Sequence, residues 1–276
     1  MVEKVREALT KASVAHFDEI RGGIANLGCA AGASYQTGFR IIGRLHWLHS
    51  ASPALLSYYT WHSKRGMDEA DVLPHFSGRA VHDGYASYQQ YACRHALCNC
   101  HHLRELTALY EQEGALWAKD MRHLLVQIKQ AVDQAREQGR KRLPVLQEAQ
   151  LEGRYQKLIR QGLMENPLSV AVAGKRGRPK QSMARNLLAR LEKHRDQVLV
   201  FMYDFAVPFD NNQAERDVRM MKVQQKISGT FRSTEGADAF CRLRSYLCTL
   251  QKQGESLLSA LEHVFRGNPL EHNYAG

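Results

Sequence analysis

No stretch of this sequence reaches the roughly 18 apolar residues that a membrane-spanning helix needs. The opening residues, MVEKVREALTKAS, are charged and lack an apolar centre, so they do not read as a secretory leader. No internal repeat is apparent. Six cysteines in 276 residues, with no leader, read as reduced thiols of a cytoplasm rather than a disulfide framework. Acid is the scarcer charge: 28 Asp and Glu stand against 38 Lys and Arg, a net charge of +10. That balance points to a polyanion partner, most simply nucleic acid. A hydrophobic content of 44% supports a core for one large domain or two small ones.

The first hundred residues read as mixed strand and helix. ASVAHFDEI (12–20) is a short strand that ends on Asp18 and Glu19. FRIIGRLHWLHSAS and ALLSYYTWHS are β-rich and flank Ser52-Pro53, the pattern of a hairpin. GMDEADVLPHF has helical character, and GRAVHDGYASY is a strand closing on the turn pair Asp83-Gly84. RHALCNCH alternates as a half-buried strand would, with Ala96, Cys98 and Cys100 on one face. Residues 20–36 hold four Gly and four Ala, carry no charge after Arg21, and read as a flexible loop.

From His102 to about Val200 apolar residues recur at three-to-four spacing among charges, as with Met121, Leu124, Leu125, Ile128 and Val132. This predicts a helical segment, broken by the basic loop GKRGRPKQS (174–182). Helices resume at ARNLLARLEKHRDQVLVFM, from Asn212 to about Val223, and at the C-terminus, where Cys241 and Cys248 share a face.

The stretch PFDNNQAERDVRMMK (208–222) sets one acid, Glu215, among bases at a helix entrance. The plain reading is a capping box: Asn212 as N-cap with Glu215 three residues later. The functional reading makes Glu215 a metal ligand and needs partners. Asp18 and Asp83 supply them. If the first three strands form an antiparallel meander and the fourth lies parallel beside the first, both aspartates meet at one sheet edge, where the helix bearing Glu215 can pack. Three converging carboxylates repel one another and call for cations. Oxygen ligands suit two Mg²⁺ or Mn²⁺ ions, the arrangement used in phosphoryl transfer.

The blocks AHFDE, TGFRIIGRLHWLHSAS, HSKRG, VHDGYASY, CNCHHLREL, GKRGRPKQS, VPFDNNQAERDVRMMKVQQKISGTFRS and GADAFCRLRSYLCTLQKQG resemble the insertion-sequence 66 family of DDE transposases over nearly the whole chain. The resemblance implies an α/β fold: a ribonuclease H-like mixed sheet flanked by helices, with an all-helical insertion before the last catalytic helix. It implies core segments at 1–101 and 201–276, with the insertion at 102–200. It implies that Asp18, Asp83 and Glu215 are the catalytic, metal-holding acids of metal-dependent DNA end cleavage and strand transfer. Expected partners are element ends, target DNA, further copies of the chain and accessory proteins of the element, in a bacterial cytoplasm at the nucleoid. Two rival readings are a catalytically silent DNA-binding remnant and a nuclease without strand transfer. The family pattern passes almost directly from the first Asp-Glu to the Thr-Gly found at Thr37-Gly38, so residues 20–36 are a 17-residue insertion. It is expected either as a longer hairpin connection or as a displacement of the strand. Relatives carry a further N-terminal region, so the chain reads as a truncated copy.

The basic candidates divide into two groups. Lys175, Arg176, Arg178 and Lys180 form a cationic loop suited to phosphates. Arg219, Lys222, Lys226 and Arg232 follow Glu215 and are expected along the DNA path. The crowding of Cys93, His95, Cys98, Cys100, His101 and His102 invites a zinc reading, but no second distant ligand pair is clear, so buried small hydrophobes are the preferred account. His46, Trp47 and His49 are expected to pack, with base stacking by Trp47 the alternative.

Overall fold

The computed structural model describes residues 2–26, 40–51, 56–59, 67–68, 71–169, 179–212, 215, 217, 219, 223, 226–227, 229, 231 and 233–271. They form two compact units: Met1–His95 with Asn211–Gly276, and Ala96–Asp210. The protein is mixed α/β.

The first unit is built on a five-stranded sheet: β1 (Val14–Asn26), β2 (Arg40–Ala51), β3 (Leu56–Tyr59), β4 (Arg79–His82) and β5 (Arg94–Leu97), in the order β3-β2-β1-β4-β5. β1, β2 and β3 pair antiparallel, and β4 lies parallel to β1. That is the meander-plus-parallel arrangement on which the meeting of Asp18 and Asp83 is conditional. Helix α1 (Val2–Thr10) opens the unit. Its Val5 and Leu9, one turn apart, are buried with Ala15 and Phe17 of β1 and Phe76, Ala80 and Tyr88. Phe17 meets Phe76 edge-on at 5.5 Å between ring centres, the favoured geometry for an aromatic pair.

Two expectations change here. Ile20–Asn26, expected to open a flexible loop, continues β1 and pairs with β2 as far as Asn26 opposite Arg40, with an irregularity between Ile24 and Ala25. Paired backbone groups satisfy each other whatever the side chains, so a glycine-rich stretch is held in the ladder. The remaining residues of the insertion, 27–36, lie outside the described ones. RHALCNCH, expected as one strand, stays extended only to Leu97, and helix α2 (Asn99–Glu113) begins directly after Cys98.

The second unit is helical: α2, α3 (Leu116–Glu137), α4 (Val145–Glu165), α5 (Met183–Lys193), α6 (Arg195–Val198) and α7 (Val200–Tyr203). The stripe read from the sequence is its core, since Met121, Leu124, Leu125, Ile128 and Val132 are all buried, with Trp117 and Tyr155. Gly162 allows α4 to close on its neighbours: a Cβ there would lie 2.6 Å from Leu188 and 3.0 Å from the Trp117 ring.

The chain returns to the first unit at Asn211. Helix α8 is helical at the described positions between 212 and 227. Then come α9 (Thr234–Lys252), which packs on β3, and α10 (Leu257–Phe265). Cys241 and Cys248 of α9 are both buried.

Candidate active site

The β1–β4 register sets the geometry. Val14 pairs with Arg79, Ala15 with Ala80 and His16 with Val81. The paired residues end there, two before Asp18 on β1 and two before Asp83, which follows β4. Adjacent strands lie about 4.8 Å apart, and residues in parallel register point to the same face. His16 and Asp18 thus share one face of β1, while Ala15 and Phe17 face the core. Asp18 is half-buried and Asp83 exposed.

Asp83 stands at a built turn. Gly84 takes φ +94°, a conformation that favours glycine. One Asp83 carboxylate oxygen accepts the Tyr85 N–H at 2.8 Å, an Asx turn. The residue before Asp83 is locked by a chain of histidines. The His95 Nε2–H donates to the Tyr91 carbonyl at 3.1 Å, which leaves His95 Nδ1 as the acceptor for His82 Nε2–H, also at 3.1 Å. His82 Nδ1 then accepts the Gly84 N–H at 3.0 Å. One tautomer assignment satisfies all three bonds, with both rings neutral. Burial pushes the His95 pKa down, in the same direction.

Glu215 is positioned by Asn211. The Asn211 Nδ2–H donates to the Phe17 carbonyl at 2.9 Å, so its Oδ1 faces His16 and accepts the Nδ1–H at 2.6 Å. Both partners lie on β1, immediately before Asp18, and Asn211 is 1% exposed. His16 shares its face with Asp18, so α8 starts on the Asp18 face. Asn212 is already helical, and the Glu215 N–H donates to the Asn211 carbonyl at 3.1 Å. The expected capping box from Asn212 is therefore out of step: the helix starts one residue earlier, because the Asn211 side chain is drawn to β1. Two residues on, Asp217 pairs with Lys252 of α9 at 2.9 Å, with side chains 20% and 13% exposed. Half-buried Glu215 thus sits between an anchor to β1 and an anchor to α9.

Among the basic candidates, Arg219 and Lys226 are exposed on α8, and Lys180 is exposed in the second unit. Lys175, Arg176, Arg178, Lys222 and Arg232 lie outside the described residues, as do the side chains of His46, Trp47 and His49. The Cys/His crowding divides between networks. In the first unit Cys93 Sγ lies 4.0 Å from His95 Nε2, and burial raises the thiol pKa. In the second, His102 Nδ1–H donates to Asn99 Oδ1 at 3.2 Å, while Asn99 Nδ2–H donates to the Val198 carbonyl at 3.0 Å. Cys98 caps α2, and Cys100 lies in its first turn rather than across a strand from Ala96.

Sequence reasoning missed His16, His82 and Lys252 among the residues around the acids, and took His95 only for the zinc reading and Asn211 only for a cap-type residue. The traces were there. A histidine stands two before Asp18, another directly before Asp83, and a doubled asparagine precedes Glu215.

Carboxylates are hard oxygen donors, of the kind that Mg²⁺ and Mn²⁺ take as ligands. A family model described as Transposase IS66 family matches residues 1–239. No curated protein and no solved structure matches the chain. Among the described residues, no helix is long and apolar enough to cross a membrane.

Proposed function

The chain belongs to the IS66 family of transposases, and from that premise we propose that it cleaves the ends of an insertion sequence and joins them to target DNA, with Asp18, Asp83 and Glu215 as the catalytic acids. DNA is the partner that a transposase role implies. What supports the reading is the β1–β4 register, whose last pair, His16 with Val81, stands two residues before Asp18 and two before Asp83, together with the Asn211 bonds that start the Glu215 helix on the Asp18 face. The strand order β3-β2-β1-β4-β5 and the return of the chain from a helical unit to that face support a ribonuclease H-like core with a helical insertion.

Asp18, Asp83 and Glu215 would hold two Mg²⁺ or Mn²⁺ ions. When bound, such ions activate a nucleophile and stabilise the leaving oxygen of a phosphodiester. The chain's own residues supply the rest. The Tyr85 N–H and the His82–His95 chain fix the Asp83 turn, Asn211 fixes the entry of α8, and Arg219, Lys222, Lys226 and Arg232 offset backbone phosphate charge along the DNA path, with the 174–182 loop as a further contact. In the first step a P–O bond at the element end breaks as water attacks, which frees a 3′-hydroxyl. In the second that hydroxyl attacks a target phosphodiester, and the target's own 3′-oxygen leaves. The reaction pairs two ends, so further copies of the chain, with or without accessory proteins of the element, take part.

The pairing of β1 with β2 through Asn26 favours an active copy over a silent remnant, because the insertion lengthens the hairpin beyond Asp18 and leaves the register with β4 in place. The test is nicking of an end-bearing duplex with Mg²⁺, with Mn²⁺ and with chelator, beside Asp83→Asn, followed by a strand-transfer assay. The reading expects metal-dependent nicking that Asp83→Asn abolishes, and joined products. Nicking without joining makes the protein a nuclease. No nicking makes it a DNA-binding remnant.

A further inference from the structure

The hairpin between α3 and α4 ends in a basic turn, GRKR (139–142). The turn is a built structure. Gly139 takes φ +71°, its N–H donates to the Arg136 carbonyl, and the Arg140 N–H donates to the Ala135 carbonyl, both at 2.9 Å. These are the paired bonds of a Schellman motif. Leu143, 2% exposed, anchors the far side of the turn in the core. Arg142 is spent on Glu148 at 2.9 Å. Arg136 is spent on the carbonyls of Phe205 and Val207.

Part of the charge along the shafts of the hairpin is compensated in the same way. Lys129 pairs with Asp133, and Glu152 with Arg195. Arg140 and Lys141, like Lys157 and Arg160 on α4, are not compensated so, but they stand side by side on the turn. Both are exposed, and among the described residues neither has an acid within 4.0 Å. Two adjacent cations are therefore displayed on a hydrogen-bonded turn, with no carboxylate within 4.0 Å among the described residues.

We infer that this turn is a phosphate-contact site for duplex DNA, with Arg140 and Lys141 as the contacting cations. The inference rests on the DNA partner of the proposed function but not on its chemistry. The turn's fixed backbone lowers the ordering cost of binding, and phosphate contacts of this kind add affinity without reading sequence.

The test is fluorescence anisotropy of the full chain on a labelled 30-bp duplex, in chelator, across a salt series. The variant Arg140→Glu/Lys141→Glu is compared with Lys157→Glu/Arg160→Glu, an equal charge change at exposed positions on α4. The expected result for the turn variant is an affinity loss of at least about tenfold at 0.1 M salt. The slope of log affinity against log salt should shrink by about 2, at about 0.9 for each phosphate that is no longer neutralised. The control should stay within about threefold of the unmodified chain. Arg140→Gln/Lys141→Gln should give the same slope change with a smaller loss, and its melting temperature reports that the hairpin is intact. Unchanged binding in the turn variants, or equal loss in turn variant and control, overturns the inference. The two proposals fail separately. A chain that binds through the turn but never nicks DNA refutes only the enzymatic reading. A chain that nicks DNA, yet binds as tightly with the turn reversed, refutes only this one.

Discussion

Asn211 and His16, 195 positions apart, share a buried hydrogen bond of 2.6 Å that fixes where the helix of Glu215 begins relative to the strand of Asp18. The second bond of the same carboxamide, to the Phe17 carbonyl, leaves it no rotational freedom. Replacing Asn211 by Leu strands a buried N–H and a buried C=O. Each such group costs about 1–3 kcal/mol, so urea titration should show a loss of about 2–4 kcal/mol. Asp is also a poor substitute, because it cannot donate to Phe17. A displacement of α8 by about 1 Å is enough to cost about 100-fold in rate. Asn211→Asp should therefore lower metal-dependent nicking by about that factor and raise the Mg²⁺ concentration needed for half-maximal activity. Normal nicking by Asn211→Asp would show that Glu215 needs no such anchor.

Gly78 sits one residue before β4, where the chain passes the segment that joins α1 to β1. A Cβ there would lie 2.2 Å from the Ala12 carbonyl oxygen and 2.8 Å from that of Ser13. Both are backbone atoms and cannot swing aside. The Arg79 N–H donates to the same Ser13 oxygen at 2.9 Å, so relief of the clash must shift the start of the β1–β4 ladder. Gly78→Ala should destabilise by about 2–3 kcal/mol, as overpacked sites do, and nicking should fall even where the protein remains folded. A melting temperature equal to that of the unmodified chain would contradict the close approach.

The architecture around these residues was largely legible in the sequence. Apolar and β-rich runs with the Asp83-Gly84 pair gave the strands β1 to β4, their pairing entering only as a condition, and the Met121–Val132 stripe gave α3. What was illegible depended on partners distant in the chain. The glycines at 22 and 23 read as breakers, yet β2 supplies their ladder. Ala96, Cys98 and Cys100 fit an alternating strand as well as a strand that passes into a helix, and only the start of α2 decides between them. Asn211 and Asn212 are equivalent as caps until His16 and Phe17 claim the first. His82 and His95 have no local period that joins them, and their tautomers follow only from the Tyr91 carbonyl and the Gly84 amide. The three acids could be nominated from sequence, but the groups that aim them could not.

Lys252 lies beyond residue 239, where the family match ends, yet it pairs with Asp217 on the helix of Glu215. Both side chains are mostly buried, so loss of one partner leaves the other charge poorly solvated. Lys252→Met should destabilise by about 2 kcal/mol and reduce nicking. Lys252→Met combined with Asp217→Leu should recover most of the stability, since an apolar pair can replace a buried ion pair. A double-mutant cycle by urea denaturation reads the coupling directly. Additive losses would mean that the pair does not anchor α8.

The second unit contains its own pH-sensitive element. His102 is 2% exposed and donates from Nδ1 to Asn99. Burial, followed by the charges of Arg190, His101 and His194, pushes its pKa down to about 3, against about 6.5 in an unfolded chain. The folded ring is therefore neutral throughout this interval, while the unfolded one gains a proton. The contribution to stability is complete above about pH 6.5. As the pH falls towards 3 it declines by at most about 1.4 kcal/mol per unit. His102→Gln removes the titrating group, and its side-chain amide can still donate to Asn99. Urea denaturation followed by circular dichroism at pH 7, 6, 5 and 4 should give the variant a shallower decline than the unmodified chain. The gap between the two curves should open only below about pH 6.5. Parallel curves over that range would mean that His102 takes up its proton in the folded state, and that the Asn99–Val198 network tolerates a cation.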